Sequence, residues 1–213
     1  MRLPNYSLAL LFASIGPAFA ECAPDKLIRM ETQNVSPGIP ADSFARQPKV
    51  QYRLGNGRSR TEEQPDPGDG VQLLFITDTP RVWQIDLVKK TGEMMVDDDV
   101  PSKLTMSVFA EDSLPPEILA VEYGCERQFM QDPRTTHERR ETSNGVAIKH
   151  SIFAGAWKFT LVTREGSDVP MLALLSQNDK VVASVRYLSY RTVETVPAGL
   201  FEPPPGMTIH AAQ

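Results

Sequence analysis

The residues able to do chemistry in this sequence are few and scattered. The three histidines, His137, His150 and His210, lie far apart and match no ligand spacing such as His-Glu-x-x-His, which sets two imidazoles on one helix face. His150 alternates with Val146, Ile148 and Ile152, so it reads as a half-buried strand residue before it reads as a base. The run Asp97-Asp98-Asp99 offers oxygen ligands to a hard cation. Calcium loops, however, alternate their acids and complete the shell with a later glutamate, so three adjacent aspartates read as a solvated loop. Asp86, Glu122 and Glu126 are carboxylates that a fold can bring together, but charged outer faces account for them without an acid–base role. No Gly-x-Ser-x-Gly elbow, phosphate loop or dinucleotide fingerprint is present, and nothing local points to a triad of distant residues. The expectation is a non-enzymatic protein with no catalytic residue, no metal and no cofactor.

The two cysteines, Cys22 and Cys125, carry the one covalent expectation. Residues 1–20 read as an export signal: Arg2 supplies the positive start, residues 8–15 are apolar, and Ala18-Phe19-Ala20 has the small-x-small pattern of a cleavage site. The apolar run is about half of the ~20 residues a membrane-spanning helix needs. Glu21 stands where lipid attachment to Cys22 would want a small residue. An exported chain meets an oxidising environment, and an even cysteine count there favours pairing, so a Cys22–Cys125 disulfide is expected. A closed loop of about a hundred residues is associated with roughly 4 to 5 kcal/mol of stabilisation on chain-entropy grounds.

At 213 residues the chain suits one well-buried domain, expected over residues 21–213. Its net charge of -5, with no face rich in Lys and Arg, argues against nucleic acid or an anionic membrane surface as partner. The mature chain is expected to be soluble, without a transmembrane segment, and monomeric.

Positioning falls to strands. Residues 21–49 show no sustained period and read as an extended lead-in with a helical turn near 42–46. Residues 50–54 alternate, Gly55-Asn56-Gly57 supplies a tight turn, and residues 58–63 return as a hairpin. A second hairpin follows over 71–77 and 82–88, with Trp83, Ile85 and Leu87 on one side of its second strand. Residues 93–96 and 104–109 are further short strands. Over 114–130 the period becomes helical, with Ile118, Cys125 and Phe129 on one stripe and Ser113 as cap. Residues 132–144 are charged and read as a surface connection. Four strands with short polar turns then make an antiparallel meander over 146–193. The three consecutive prolines, Pro203 to Pro205, lack amide hydrogens, so the ending must run along an edge or rim, with Leu200 and Phe201 as an apolar plug. The predicted fold class is mainly β (α+β): a curved antiparallel sheet or open half-barrel with a covering helix near 114–130.

Three stretches in this order resemble the LolA-like superfamily of periplasmic lipoprotein carriers. Arg58 and Arg60 lie upstream of LLFITDTPRVWQIDL, the long strands of 146–193 follow, and LFEPPPGMTI ends the chain. The long N-terminal helix of those carriers is not visible, and a helix around Tyr123-Gly124-Cys125-Glu126 lies mid-chain instead. The resemblance implies a half-barrel with a concave apolar face covered by helices, and a periplasmic location. Trp83, Ile85, Leu87, Trp157, Phe159, Leu161, Val185 and Tyr187 would then line one face of the sheet, with Arg58 and Arg60, or Arg53 at the hairpin, at its rim to meet a headgroup. An open groove would suit a lipid or other acyl-type ligand, since burial of apolar area at about 25 cal/mol per Å2 would drive binding. A filled core would leave an envelope interaction module with a protein partner and no ligand.

Overall fold

Alternating side chains and short turns fold most of this chain into strands. The computed structural model describes residues 22–97, 104–106, 109, 114–119, 121–143 and 145–212. The predicted export signal, Asp98 and Asp99 of the acid run, and Ser113 lie outside the described residues.

The strands are β1 (Leu27–Asn34), β2 (Lys49–Leu54), β3 (Arg58–Glu62), β4 (Leu73–Asp78), β5 (Arg81–Asp86), β6 (Thr91–Val96), β7 (Thr136–Thr142), β8 (Gly145–Ala154), β9 (Trp157–Arg164), β10 (Pro170–Gln177), β11 (Lys180–Val193) and β12 (Thr208–Ala211). Among the described residues they form one open, curved sheet in the order β12-β6-β5-β4-β3-β2-β1-β11-β10-β9-β8-β7. The pairing is antiparallel throughout except at one edge, where β12 lies parallel to β6. The predicted fold class is therefore the observed one. No helix among the described residues is long and apolar enough to cross a membrane.

Three local expectations change. The lead-in holds β1, which joins the two halves of the sheet by pairing with β2 on one side and β11 on the other. Its apolar residues Leu27, Ile28 and Met30 are packed on both faces, so they show no clean alternation to read. The charged connection over 132–144 holds β7, an edge strand whose residues are all exposed; edge strands carry such charges to deter further pairing. The strand expected over 104–109 reduces, among the described residues, to an isolated bridge between Thr105 and Glu122.

The expected helix is divided into α1 (Pro116–Leu119) and α2 (Glu126–Gln131). Gly124 between them has a φ of +89°, a left-handed conformation that interrupts a right-handed helix. A β-carbon there would also lie 2.8 Å from Arg53 Cγ.

Two long connections cross the sheet on opposite faces. The connection from β6, the neighbour of edge strand β12, to β7 at the opposite edge carries α1 and α2, and its described residues Phe109, Leu114, Ile118, Val121, Tyr123 and Phe129 pack against the sheet. Residues 194–207 run from central β11 to edge β12 and pack Leu200, Phe201 and Met207 against Leu27, Leu74, Ile76, Trp83 and Ile85. Arg60 Nη1 donates to the Leu200 carbonyl at 3.0 Å and holds this second crossing down. The expected plug is present, but the three prolines belong to this crossing over the sheet face, where no amide hydrogen is asked to pair with a strand, and only β12 beyond them runs along an edge.

Candidate functional site

The register divides the predicted lining residues between two faces. Trp83 pairs with Ile76, Ile76 with Arg60, Arg60 with Tyr52, and Tyr52 with Arg29. Directly paired residues point to the same side, and neighbours along a strand to opposite sides. Arg29 is flanked by Ile28 and Met30, whose side carries Tyr190 (the partner of Met30), Tyr187 (the partner of Thr32) and Val185. Val185 then pairs with Ala173, and Ala173 with Leu161. Trp157, Phe159, Leu161, Val185 and Tyr187 therefore share the helix-covered face, whereas Trp83, Ile85 and Leu87 pack on the other, under the C-terminal crossing.

The one-face expectation fails because a period of two gives alternation within a strand but no parity between strands. Arg58 and Arg60 also sit away from the helix-covered face. Arg58 pairs with Asp78 at 3.1 Å, and Arg60 with Glu62 at 2.6 Å as well as the Leu200 carbonyl. Both guanidiniums have partners within the protein.

The helix-covered face has an apolar part and a polar part. Phe159 is fully buried and meets Phe109 and Phe129 edge-on, with ring centroids 5.8 and 5.0 Å apart. Towards β1 and β2 the inward positions become polar: Thr32, Gln51 and Arg53 are all buried. The segment Glu122-Tyr123-Gly124-Cys125-Glu126 lies over them.

Its central tie is the predicted disulfide, Cys22–Cys125, with Cα atoms 5.8 Å apart. Arg53 Nη2 lies 3.2 Å from Glu122 Oε2 and donates to the Cys22 carbonyl at 3.2 Å, while its Nε donates to the Gly55 carbonyl at 2.9 Å. Glu122 Oε2 also accepts from the Leu104 amide at 3.1 Å. Glu122 and Glu126, expected on charged outer faces, are instead buried, while Asp86 stays at the surface and accepts from the Val88 and Lys89 amides.

Glu126 is 1% exposed and accepts from the Tyr187 hydroxyl at 2.8 Å through Oε1. The Tyr190 hydroxyl faces the same carboxyl, yet neither it nor Glu126 Oε2 makes a hydrogen bond of good geometry. Burial raises the Glu126 pKa above the ordinary carboxylate value, against the smaller opposing effect of its hydrogen bonds. Burial likewise raises the Tyr123, Tyr187 and Tyr190 hydroxyls, and the nearby Glu126 charge adds to it. The Thr32 hydroxyl donates to Gln51 Oε1 at 3.1 Å.

This cluster can donate and accept hydrogen bonds in an apolar setting. Nothing in the sequence announced it, since Glu122, Glu126 and Arg53 are charged residues of the kind usually found outside. The nearest signal was the helical stripe that placed Cys125 on a buried side.

Around this face lie two spaces. A partly enclosed cavity of about 110 Å3 is bounded by Thr32, Gln51, Tyr123, Val185 and the 45–49 segment. A more open groove of about 610 Å3 lies between α2 and strands β8 and β9, lined by Arg127, Met130, Gln131, Ile148, His150, Thr163 and Arg164. Among the described residues no group of three or more His, Cys, Asp or Glu is placed to hold a metal.

No protein-family model matches the chain, and no curated protein matches it. Similar solved structures exist. An uncharacterized conserved protein from Thermus thermophilus aligns with a TM-score of 0.50 at 11% identity, over 88% of this chain and 91% of that one. A structure of PNGF-II gives 0.41 at 9% identity, with 88% of this chain spanning 32% of the other. A LolA superfamily protein, NE2245 from Nitrosomonas europaea, gives 0.35 at 9% identity, over 84% and 90% of the two chains. At 11% identity the likeness to the Thermus thermophilus protein is one of fold.

Proposed function

We propose that this chain is an exported, non-catalytic binding protein of the periplasm whose helix-covered sheet face receives a lipid or other acyl-type ligand, with α1, α2 and residues 121–125 between them as a separable cover. One observation carries the reading: the interface between cover and sheet is apolar on one side and ionic on the other. A permanently closed core gains little from a buried Arg53–Glu122 pair and an incompletely hydrogen-bonded Glu126, because well-packed apolar residues of similar volume are often equally or more stabilising. An interface that must open tolerates such groups, since each can be solvated once the cover lifts. The helices of the cover are short, four and six residues, and Cys22–Cys125 keeps it attached to the sheet. The sequence resemblance to lipoprotein carriers points the same way.

A second reading is favoured by the burial of Phe159, Leu161 and Val185 under the cover. On that reading the face is permanent core, and the protein is an interaction module of the cell envelope with a protein partner. Native mass spectrometry of the protein purified from its exporting cell, followed by titration with a fluorescent fatty acid, separates the two. A co-purifying acyl compound, or saturable probe uptake, supports the binding protein. A ligand-free chain that takes up no probe, even under mild destabilisation, leaves the interaction module.

A further inference from the structure

His137 and His150 are direct cross-strand partners on β7 and β8, and their side chains meet at the open end of the helix-covered face. Their Nδ1 atoms are 2.9 Å apart and their rings cross at 79°. Because the two ring nitrogens face one another, at least one presents a lone pair. Thr163 Oγ1, 3.0 Å from His150 Nε2, can accept the proton of that nitrogen, which leaves His150 Nδ1 as the unprotonated atom. His150 lines the groove of about 610 Å3, so there is room for water beside the pair.

We propose that His137 and His150 form a two-imidazole site for a divalent transition-metal ion of the copper(II) or nickel(II) type, with water completing the coordination. The donors decide the class of ion: imidazole nitrogen with water in a tetragonal arrangement suits copper(II) or nickel(II). Two nitrogens bound at about 2.0–2.1 Å and at right angles lie about 2.9 Å apart, so the paired rings need only turn, without separating, to aim both lone pairs at the ion. The ion replaces the shared proton, and His137 moves its own proton to Nε2, where solvent accepts the hydrogen bond. Two of the nearby cations are already neutralised: Arg127 pairs with Asp168 at 2.7 Å and Arg139 with Glu165 at 2.8 Å. The site is independent of any acyl ligand.

The test uses the exported chain with its disulfide intact and no affinity tag, titrated with copper(II), nickel(II) and zinc(II). Expected are one equivalent of copper(II) with an electron paramagnetic resonance spectrum of two imidazole nitrogens, and tighter binding of copper(II) and nickel(II) than of zinc(II). His137→Gln and His150→Ala should each weaken copper affinity at least tenfold while retaining the circular dichroism spectrum, and His210→Ala should leave it unchanged. Binding that survives both of the first two substitutions overturns the site. So does loss of copper only in His210→Ala, or no uptake by the native chain.

Discussion

Arg53 and Glu122 form an ion pair of 3.2 Å beneath the covering segment, with side chains only 1% and 8% exposed. The pair joins β2 to the cover at the point where Gly124 passes closest to the sheet, and the same guanidinium reaches the Cys22 carbonyl beside the disulfide. Cover, sheet and N-terminal segment thus meet at one side chain.

Removing one partner of such a pair leaves a buried charge without its counter-ion, which typically costs about 3–5 kcal/mol. Glu122→Ala is expected to lose that much in urea unfolding. The double variant Arg53→Met with Glu122→Leu should recover most of it, because both desolvation penalties vanish together. A double variant as weak as the single one would show that the other contacts of Arg53, rather than the pair, hold the cover.

The disulfide spans 103 residues. A loop of that length corresponds to about 4.7 kcal/mol of lost denatured-state entropy. Serine at both Cys22 and Cys125 is expected to reduce stability by about that amount, read as a lower urea midpoint. Denatured but unreduced native protein should show no free thiol. Two thiols per chain in that assay would remove the bond from the protein.

The distribution of these groups explains what the sequence could reveal. The hairpin over β2 and β3 was legible because Gly55 and Gly57 mark its turn, and the meander because its turns are short and polar. Cys22 and Cys125 were legible as the only available pair. The parity between Trp83 and Trp157 was not, because it depends on every register between β5 and β9, including the bulge between Glu31 and Thr32 where β1 meets β11. Nor was the buried state of Glu122 and Glu126, which follows from where the cover lands. Of the candidate site, the apolar half could be read from alternation, whereas the polar half belongs to tertiary contacts.

Glu126 gives the stability a sign with pH. Its folded pKa is raised above the free value of 4.5, so the folded chain keeps a proton that the unfolded chain releases. Below about pH 4.5 both states hold the proton and the burial carries no ionisation penalty. Above it the unfolded state ionises first, and stability falls by up to ~1.4 kcal/mol per pH unit until Glu126 itself ionises. Glu126→Gln still accepts from Tyr187 and should flatten this decline, so it should be more stable than the native chain at neutral pH. Urea midpoints measured from pH 4 to 8 check it, and parallel curves for the two proteins would refute the assignment.

The two faces predict a division between stability and ligand uptake. Ile85→Val removes one methylene under the C-terminal crossing and should cost about 0.5–1.5 kcal/mol while leaving fatty-acid uptake intact. Trp157→Glu places a charge at a half-buried position on the helix-covered face and should abolish uptake in a chain that remains folded. If Ile85→Val impaired uptake as strongly as Trp157→Glu, the ligand would not be confined to the helix-covered face.

Gly124 is where backbone and packing arguments coincide. Its φ of +89° strains any L side chain, and an added methyl group would lie 2.8 and 2.9 Å from Arg53 Cγ and Cβ. Arg53 cannot yield freely, because its guanidinium is held by Glu122, the Cys22 carbonyl and the Gly55 carbonyl. Gly124→Ala is therefore expected to lift the cover rather than shift the sheet. Its strain alone should cost about 1–3 kcal/mol. Amide exchange should quicken in 121–131 and stay slow in β9, β10 and β11, and the same variant should load a fluorescent fatty acid faster if the cover gates the site. Uniformly faster exchange across sheet and cover would mean that the two unfold as one unit, and the separable cover would be lost with it.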